Sequence, residues 1–343
     1  MKNWEKIRLN PALKEIQIKR NKINNLVRDF FAKRGFLEMQ TPILVKCAGQ
    51  EPYLTPAEVN FKDEKNKKYK GFLITSPEYS LKKLLAAGFD RIFEIAKVFR
   101  SNESFGGTHN PEFTMLEWYR KNSDYRQIMK DVEQLLFFLN RNINHSDYLI
   151  YQGRKIDLTP PWPKISVKRA FLKYAHINLD EMRNLRVFKQ KLKNRDYFIK
   201  SDDWNDIFYL VFLNEIEPRL PKNKPIIIYD YPLPQASLAK RKNKKSFYAE
   251  RFEVYITGLE LANASSELTD PKEQYKRFKE EQNLRKKMKK NFIPVDKDLI
   301  HALELKLPPS GGIALGMERL QMLLLNIENI NDLLPFPAEQ LFK

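Results

Sequence analysis

The chain has 343 residues, of which 42% are apolar and 30% charged, and 61 lysines and arginines against 43 aspartates and glutamates give a formal net charge of +18. That length and apolar content support one large domain or two around a full core and exclude global disorder. No apolar run approaches the ~18–20 residues that cross a bilayer, the N-terminus MKNWEKIRLN has no apolar signal core, and one cysteine with four scattered histidines excludes disulfides and zinc fingers, so a cytoplasmic protein without a membrane partner is expected.

From Ile16 to Arg34, Ile23, Leu26, Val27, Phe30 and Phe31 fall at helical spacing and Gly35 follows as a cap, which predicts an amphipathic helix. Phe36 to Thr41, closed by Pro42, reads as a short strand. Polar stretches at Lys62 to Lys70 and Lys240 to Lys245 read as solvated loops or hairpin tips. Arg91 to Arg100 and Phe113 to Tyr119 are β-rich runs joined by a polar turn, a hairpin with a long loop. Ile128, Val132, Leu135, Leu136 and Leu139 give one apolar face to a helix over Asp124 to Asn140. Residues 141 to 225 mix helical and irregular patterns and carry no legible chemistry. Strands are expected at Pro225 to Tyr229 and Arg251 to Ile256, and SGGIALGMERLQMLLL places a Gly-rich strand directly before a helix. Neither GxGxxG nor GxxxxGK(S/T) occurs, which favours an α+β fold with a mixed, mainly antiparallel sheet flanked by helices over a doubly wound one.

Several residues stand out for chemistry. Arg100 at a strand end could clamp a phosphate, with Glu103, His109 and Phe113 crowding the loop and its return; a surface ion pair and a core phenylalanine are the plain alternatives. Glu253 and Glu260 flank a turn at Thr257 and Gly258, and two such carboxylates are hard oxygen ligands suited to Mg²⁺ shared with ATP phosphates. The run GLELANASSELTD adds Asn263 and Glu267 where apolar alternation is expected, pointing to a polar ligand or to an exposed edge strand. Arg319 opens a helix after Gly311, Gly312 and Gly316, where a cation opposes the helix dipole unless an anion binds or Glu318 satisfies it. The +18 charge suits nucleic acid, ATP or an acidic protein, and equally a lysine-rich surface that merely solvates the chain.

Together these segments resemble one family. FFAKRGFLEMQTP is similar to motif 1 of the class II aminoacyl-tRNA synthetase catalytic fold (about 23–42), FEIAKVFR through HNPEFTMLEWYR to motif 2 (about 91–120), and GGIALGMER to motif 3 (about 311–325). TSPEYSLKKLL, YPLPQASLA and GLELANASSELTD resemble the lysyl branch, and most closely the elongation factor P (R)-β-lysine ligase family.

The resemblance implies a single catalytic domain over 1–343 that uses ATP and Mg²⁺ to activate (R)-β-lysine or lysine as an adenylate and transfers it to a lysine of elongation factor P. Arg100 and Arg319 would be catalytic; Arg100, Glu103, His109, Phe113 and Arg319 would hold ATP; Glu253 and Glu260 would hold the metal. Glu78, Glu117, Tyr119, Asn263, Glu267 and Ala314 would form the amino-acid pocket. Only a short stretch precedes Ile16, so no anticodon-binding domain and no tRNA acceptor are expected, and motif 1 implies a homodimer. The loop from Arg100 to His109 is one residue longer than the usual family form, its SFGGT lacks the loop arginine often seen there, and Ser265 and Ser266 stand where the ligases often have an aromatic followed by His or a similar residue. A synthetase paralogue charging tRNA or a small-molecule acceptor, and a noncatalytic ligand-binding paralogue, are the alternatives.

Overall fold

The computed structural model describes residues 1–195 and 197–343. Its centre is an eight-stranded sheet built from β1 (Leu37–Glu38), β2 (Arg91–Phe99), β3 (Glu112–Lys121), β4 (Lys164–Ser166), β5 (Ile226–Pro232), β6 (Tyr248–Ile256), β7 (Leu259–Ser266) and β8 (Ser310–Gly316), in the order β1-β2-β3-β8-β7-β6-β5-β4. The two outer pairs, β1 with β2 and β4 with β5, are parallel and every inner pair is antiparallel, the mixed α+β sheet expected from the sequence.

Period-two alternation gives this sheet two unlike faces. Leu116 and Trp118 of β3, Phe252 and Val254 of β6, and Ile313 and Leu315 of β8 pack into a buried core against α1 (Pro11–Ala32), α3 (Tyr125–Ile143) and α5 (Met317–Leu325). The opposite face presents Glu117 and Tyr119 from β3 and Gly312 and Ala314 from β8 to a cavity, which α2 (Glu78–Ala86) and α4 (Pro271–Lys287) also line.

The predicted elements recur with shifted ends. α1 starts at Pro11 rather than Ile16, because Asn10 caps it by accepting from Ala12 N and proline suits the first turn. Gly35 has φ of +74°, so the reversal after the helix falls on it. Asp124 caps α3 through Arg126 N and Gln127 N. The Phe36–Thr41 strand shrinks to two residues, while Glu58–Lys62 and Lys68–Leu73 pair as a hairpin around the expected polar tip. In 141–225, Tyr148–Tyr151 pairs with Arg154–Asp157, and the segment from Val167 to Leu220 contributes most of a second buried cluster, joined by Ile226, Ile228 and Tyr231 of β5. These elements were illegible because short strands and broken helices carry no sustained period.

Candidate active site

A single cavity of about 1010 Å³ is lined by every residue the resemblance assigns to catalysis, ATP, metal or amino acid except Glu253. Two groups of side chains compose it.

The first group comes from the β2–β3 loop, β7 and α5. Arg100 has no ion-pair partner within reach among the described residues, its Nε is buried without a hydrogen bond, and its guanidinium carbon lies 5.1 Å from the Phe113 ring centroid. Burial lowers its pKa, opposed by Glu103 and Glu260. The surface-ion-pair alternative therefore fails: this cation is buried at the cavity with no direct ion-pair partner among the described residues, which suits an anionic ligand. Arg319 donates to the Glu260 carbonyl at 2.7 Å and faces His109 Nε2 at 3.1 Å, and burial followed by the Arg319 charge lowers the His109 pKa. Glu318 does not satisfy Arg319; it is buried and accepts from Thr114 N at 2.8 Å. The loop itself is pinned from the C-terminal segment, with Ile330 N donating to Gly107 O at 2.8 Å and Ala338 N to Asn110 Oδ1 at 3.0 Å. Glu103 lies 4.0 Å from His109.

The second group is carboxylate-rich. Glu117 accepts from Tyr119 OH at 2.6 Å and from Ser76 Oγ at 2.8 Å, and burial plus the neighbouring Glu78 push its pKa well above the usual range. Glu267 is pushed up to about 7, chiefly by burial and by Glu78, against the pull of Lys82. Lys82, 2% exposed, ion-pairs with both Glu78 and Glu267; burial alone would lower its pKa, and the two carboxylates outweigh that and raise it. Sequence reading missed Lys82, although it stands four residues after Glu78 within TSPEYSLKKLL, a spacing that faces both side chains the same way on a helix. Ala314 pairs across the sheet with Glu117 on one side and Asn263 on the other, so its methyl sits among the polar groups. β7 lies inside the sheet between β8 and β6, which removes the edge-strand explanation for its polar residues.

The two carboxylates of the expected metal pair are placed differently. A bulge between Val254 and Tyr255 and the turn at Thr257 and Gly258, both with positive φ, set Glu260 opposite Tyr255 and Glu253 opposite Asn263. Glu253 is 3% exposed and fully occupied: Tyr231 OH and Tyr255 OH donate to Oε2 at 2.5 and 2.7 Å, and Arg251 Nη2 and Asn263 Nδ2 to Oε1 at 2.6 and 3.3 Å. Asn263 also accepts from Arg251 Nε at 3.1 Å, so its amide is committed to this network. The Glu260 carboxylate lines the cavity and takes no side-chain hydrogen bond or ion pair from the described residues. Burial, then Glu253, push it up to about 7. A cation in this cavity would therefore meet Glu260 directly and Glu253 only through its field. Among the described residues no group of three or more His, Cys, Asp or Glu side chains is disposed to hold a metal by itself, and no helix is long and apolar enough to cross a membrane.

Comparison with known proteins bears on this geometry. The family described as tRNA synthetases class II (D, K and N) matches residues 2–340. The chain is 36% identical over 338 residues to the lysine–tRNA ligase of Thermoanaerobacter sp. (strain X514), covering 96% of this chain and 65% of that protein. It is 38% identical over 326 residues to the elongation factor P–(R)-β-lysine ligase of Yersinia pestis (strain Pestoides F), covering 94% of each. The chain thus spans about 65% of the length of the first of these relatives and nearly all of the second.

Proposed function

Because the chain belongs to the class II tRNA synthetase family of the D, K and N branch, we propose that it activates (R)-β-lysine or lysine with ATP and transfers it to a lysine side chain of elongation factor P. The observation that carries this reading is one cavity joining an unpaired arginine beside an aromatic face to a carboxylate-rich pocket. The first group suits a nucleoside triphosphate, the second a substrate bearing two ammonium groups.

In the activation step a carboxylate oxygen of the amino acid attacks the α-phosphorus of ATP, and the bond to pyrophosphate breaks. Negative charge grows on the nonbridging and leaving oxygens, and Arg100 and Arg319 stabilise it. Phe113 offers its ring to the adenine, with Glu103 and His109 on the loop beside it. Glu260 would hold Mg²⁺ together with phosphate oxygens, and the ion would supply charge neutralisation. Glu78, Glu117 and Glu267 orient the two amines, Tyr119 braces Glu117, Asn263 lines the pocket while held by Arg251 and Glu253, and the Ala314 methyl shapes the pocket near the α-carbon. In the second step an amine of the acceptor bonds to the carbonyl carbon and AMP leaves. No protein nucleophile is needed.

The choice of acceptor rests on similarity to the β-lysine ligases along nearly their whole length. The 36% identity to lysine–tRNA ligases favours tRNA as the second reading. Intact-mass analysis of elongation factor P incubated with this protein, ATP, Mg²⁺ and either α- or β-lysine separates them. A gain of one lysyl unit on the factor without tRNA charging is expected; charged tRNA and an unmodified factor would transfer the assignment to the second reading. A cytoplasmic homodimer assembled through α1 completes the proposal, and a monomeric mass at micromolar concentration would remove the dimer from it.

A further inference from the structure

Of the carboxylates in the cavity that belong to neither group, two are buried and short of donors. Glu51 and Glu281, the latter on α4, both line it, and on each the Oε2 atom is shut off from solvent with no hydrogen-bond donor. Ser237 Oγ donates to the other oxygen of Glu281, and neither carboxylate has an ion-pair partner among the described residues.

The absence of a counter-charge is not for want of nearby cations. Arg285 gives Nη1 to the backbone carbonyls of Glu51 and Leu54, at 3.0 Å each, and turns its other nitrogens to the carbonyl of Asn291. Arg277 donates to the carbonyls of Ala236, Ser237 and Ala239 and pairs with Glu273. Both guanidiniums flank Glu281 on its own helix and are committed to main chain. The inward position of Glu51 is also built in: a Cβ at Gly49 would lie 2.2 Å from its Oε2, so only glycine there leaves the carboxylate room. Glu51 further shares with Thr75, Ser76 and Glu78 the wall between the main cavity and a second one of about 540 Å³, which sets it beside the amino-acid pocket.

Buried carboxylates without donors are costly unless a ligand supplies the missing charge. Burial and then Glu78 raise the Glu51 pKa against the pull of Arg100 and Lys82, and burial and then Glu51 push Glu281 up to about 8 against Arg277, so an ammonium bound beside these carboxyls would favour release of the protons they hold. Charge counting points the same way. Lys82 offsets one of the carboxylates Glu78, Glu117 and Glu267, which leaves two for the two amines of a lysine. A further ammonium needs further carboxylates.

We propose that Glu51 and Glu281 form a binding site for one primary ammonium group, additional to the Glu78, Glu117 and Glu267 pocket. The two sources rest on the synthetase reading above: an amine of the amino acid, or the side chain of the acceptor lysine. Both present the same chemistry to the carboxylates.

Calorimetric titration of the full chain with lysine, then with n-butylamine at saturating lysine, tests the site without requiring turnover. Glu51→Gln and Glu281→Gln are near-isosteric, and Glu64→Gln, an exposed position outside the cavity, is the control. Weakening of lysine binding by at least about tenfold in the two variants and not in the control assigns the site to the amino acid. The same loss confined to n-butylamine assigns it to the acceptor. Equal affinities in all proteins, or no binding of either amine to the wild type, overturn the proposal. Lysine-dependent pyrophosphate exchange is measured in parallel: its absence in the wild type defeats the synthetase reading and leaves the outcome of the titrations standing.

Discussion

The ammonium of Lys82 lies 2.6 Å from Oε1 of Glu78, one helical turn before it, and also pairs with Glu267 in a place where the lysine is 2% exposed. A buried cation between two carboxylates fixes both their positions and the charge the pocket offers to a substrate. Replacing it by Met leaves two like charges facing each other without compensation. Removal of one member of a buried ion-pair set costs about 3–5 kcal/mol. Lys82→Met is therefore expected to lower the denaturant midpoint strongly and to raise KM for lysine. Near-wild-type stability together with unchanged KM would show that Lys82 is neither a structural nor a positioning residue.

Arg100 is buried at the cavity with no ion-pair partner among the described residues. If it stabilises charge on the α-phosphate, Arg100→Ala removes a stabiliser on the scale of ~3–4 kcal/mol of barrier, a loss of two to three orders of magnitude in adenylate formation. Because no described ion pair is broken, the folded state should lose little stability. Pyrophosphate exchange within tenfold of wild type would take Arg100 out of the reaction.

How far the sequence could be read follows from the kind of signal each residue leaves. Period-two and period-3.6 runs are long in β2, β3, α1 and α3, so these elements and the motifs on them were legible, with errors only at the ends that caps decide. The side chains gathered in the cavity were legible too, because polar residues such as Asn263 and Glu267 interrupt an otherwise apolar strand. Which of them are free was not. That Glu253 is saturated by Tyr231, Tyr255, Arg251 and Asn263 depends on a bulge at Val254 and on side chains from three strands. Glu51 and Glu281 gave no signal at all, since one sits in a loop and the other on a strongly charged helix whose composition hides a buried acid.

Stability should fall as pH rises. Burial pushes Glu267 and Glu260 up to about 7 and Glu281 up to about 8, whereas glutamates in an unfolded chain ionise near 4.3. Between those limits the folded chain holds protons that the unfolded chain has released, so the slope of unfolding free energy against pH is negative. Each such group withdraws its stabilisation progressively across its window. His109, whose pKa is lowered, acts with the opposite sign below its ordinary value. The comparison of wild type with Glu281→Gln therefore isolates the effect: the variant's Tm should decline less between pH 5 and pH 8. Parallel curves would mean that Glu281 does not ionise in that window.

Gly312 provides the most local test of the pocket geometry. A Cβ there would stand 2.2 Å from Tyr119 Cε1 and 2.7 Å from Glu267 Oε1, and Tyr119 is buried with its hydroxyl donating to Glu117 at 2.6 Å. Gly312→Ala must therefore turn the Tyr119 ring, break its bond to Glu117 and push on Glu267 at once. Overpacking of this kind costs about 1–3 kcal/mol, and KM for lysine should rise with it. The closest clash is with the Tyr119 ring, so in a Tyr119→Ala background the added methyl should cost measurably less than it does alone. A double-mutant cycle reads that coupling directly. Simple additivity of the two substitutions would mean that the methyl is accommodated elsewhere and that Tyr119 does not close the pocket against Gly312.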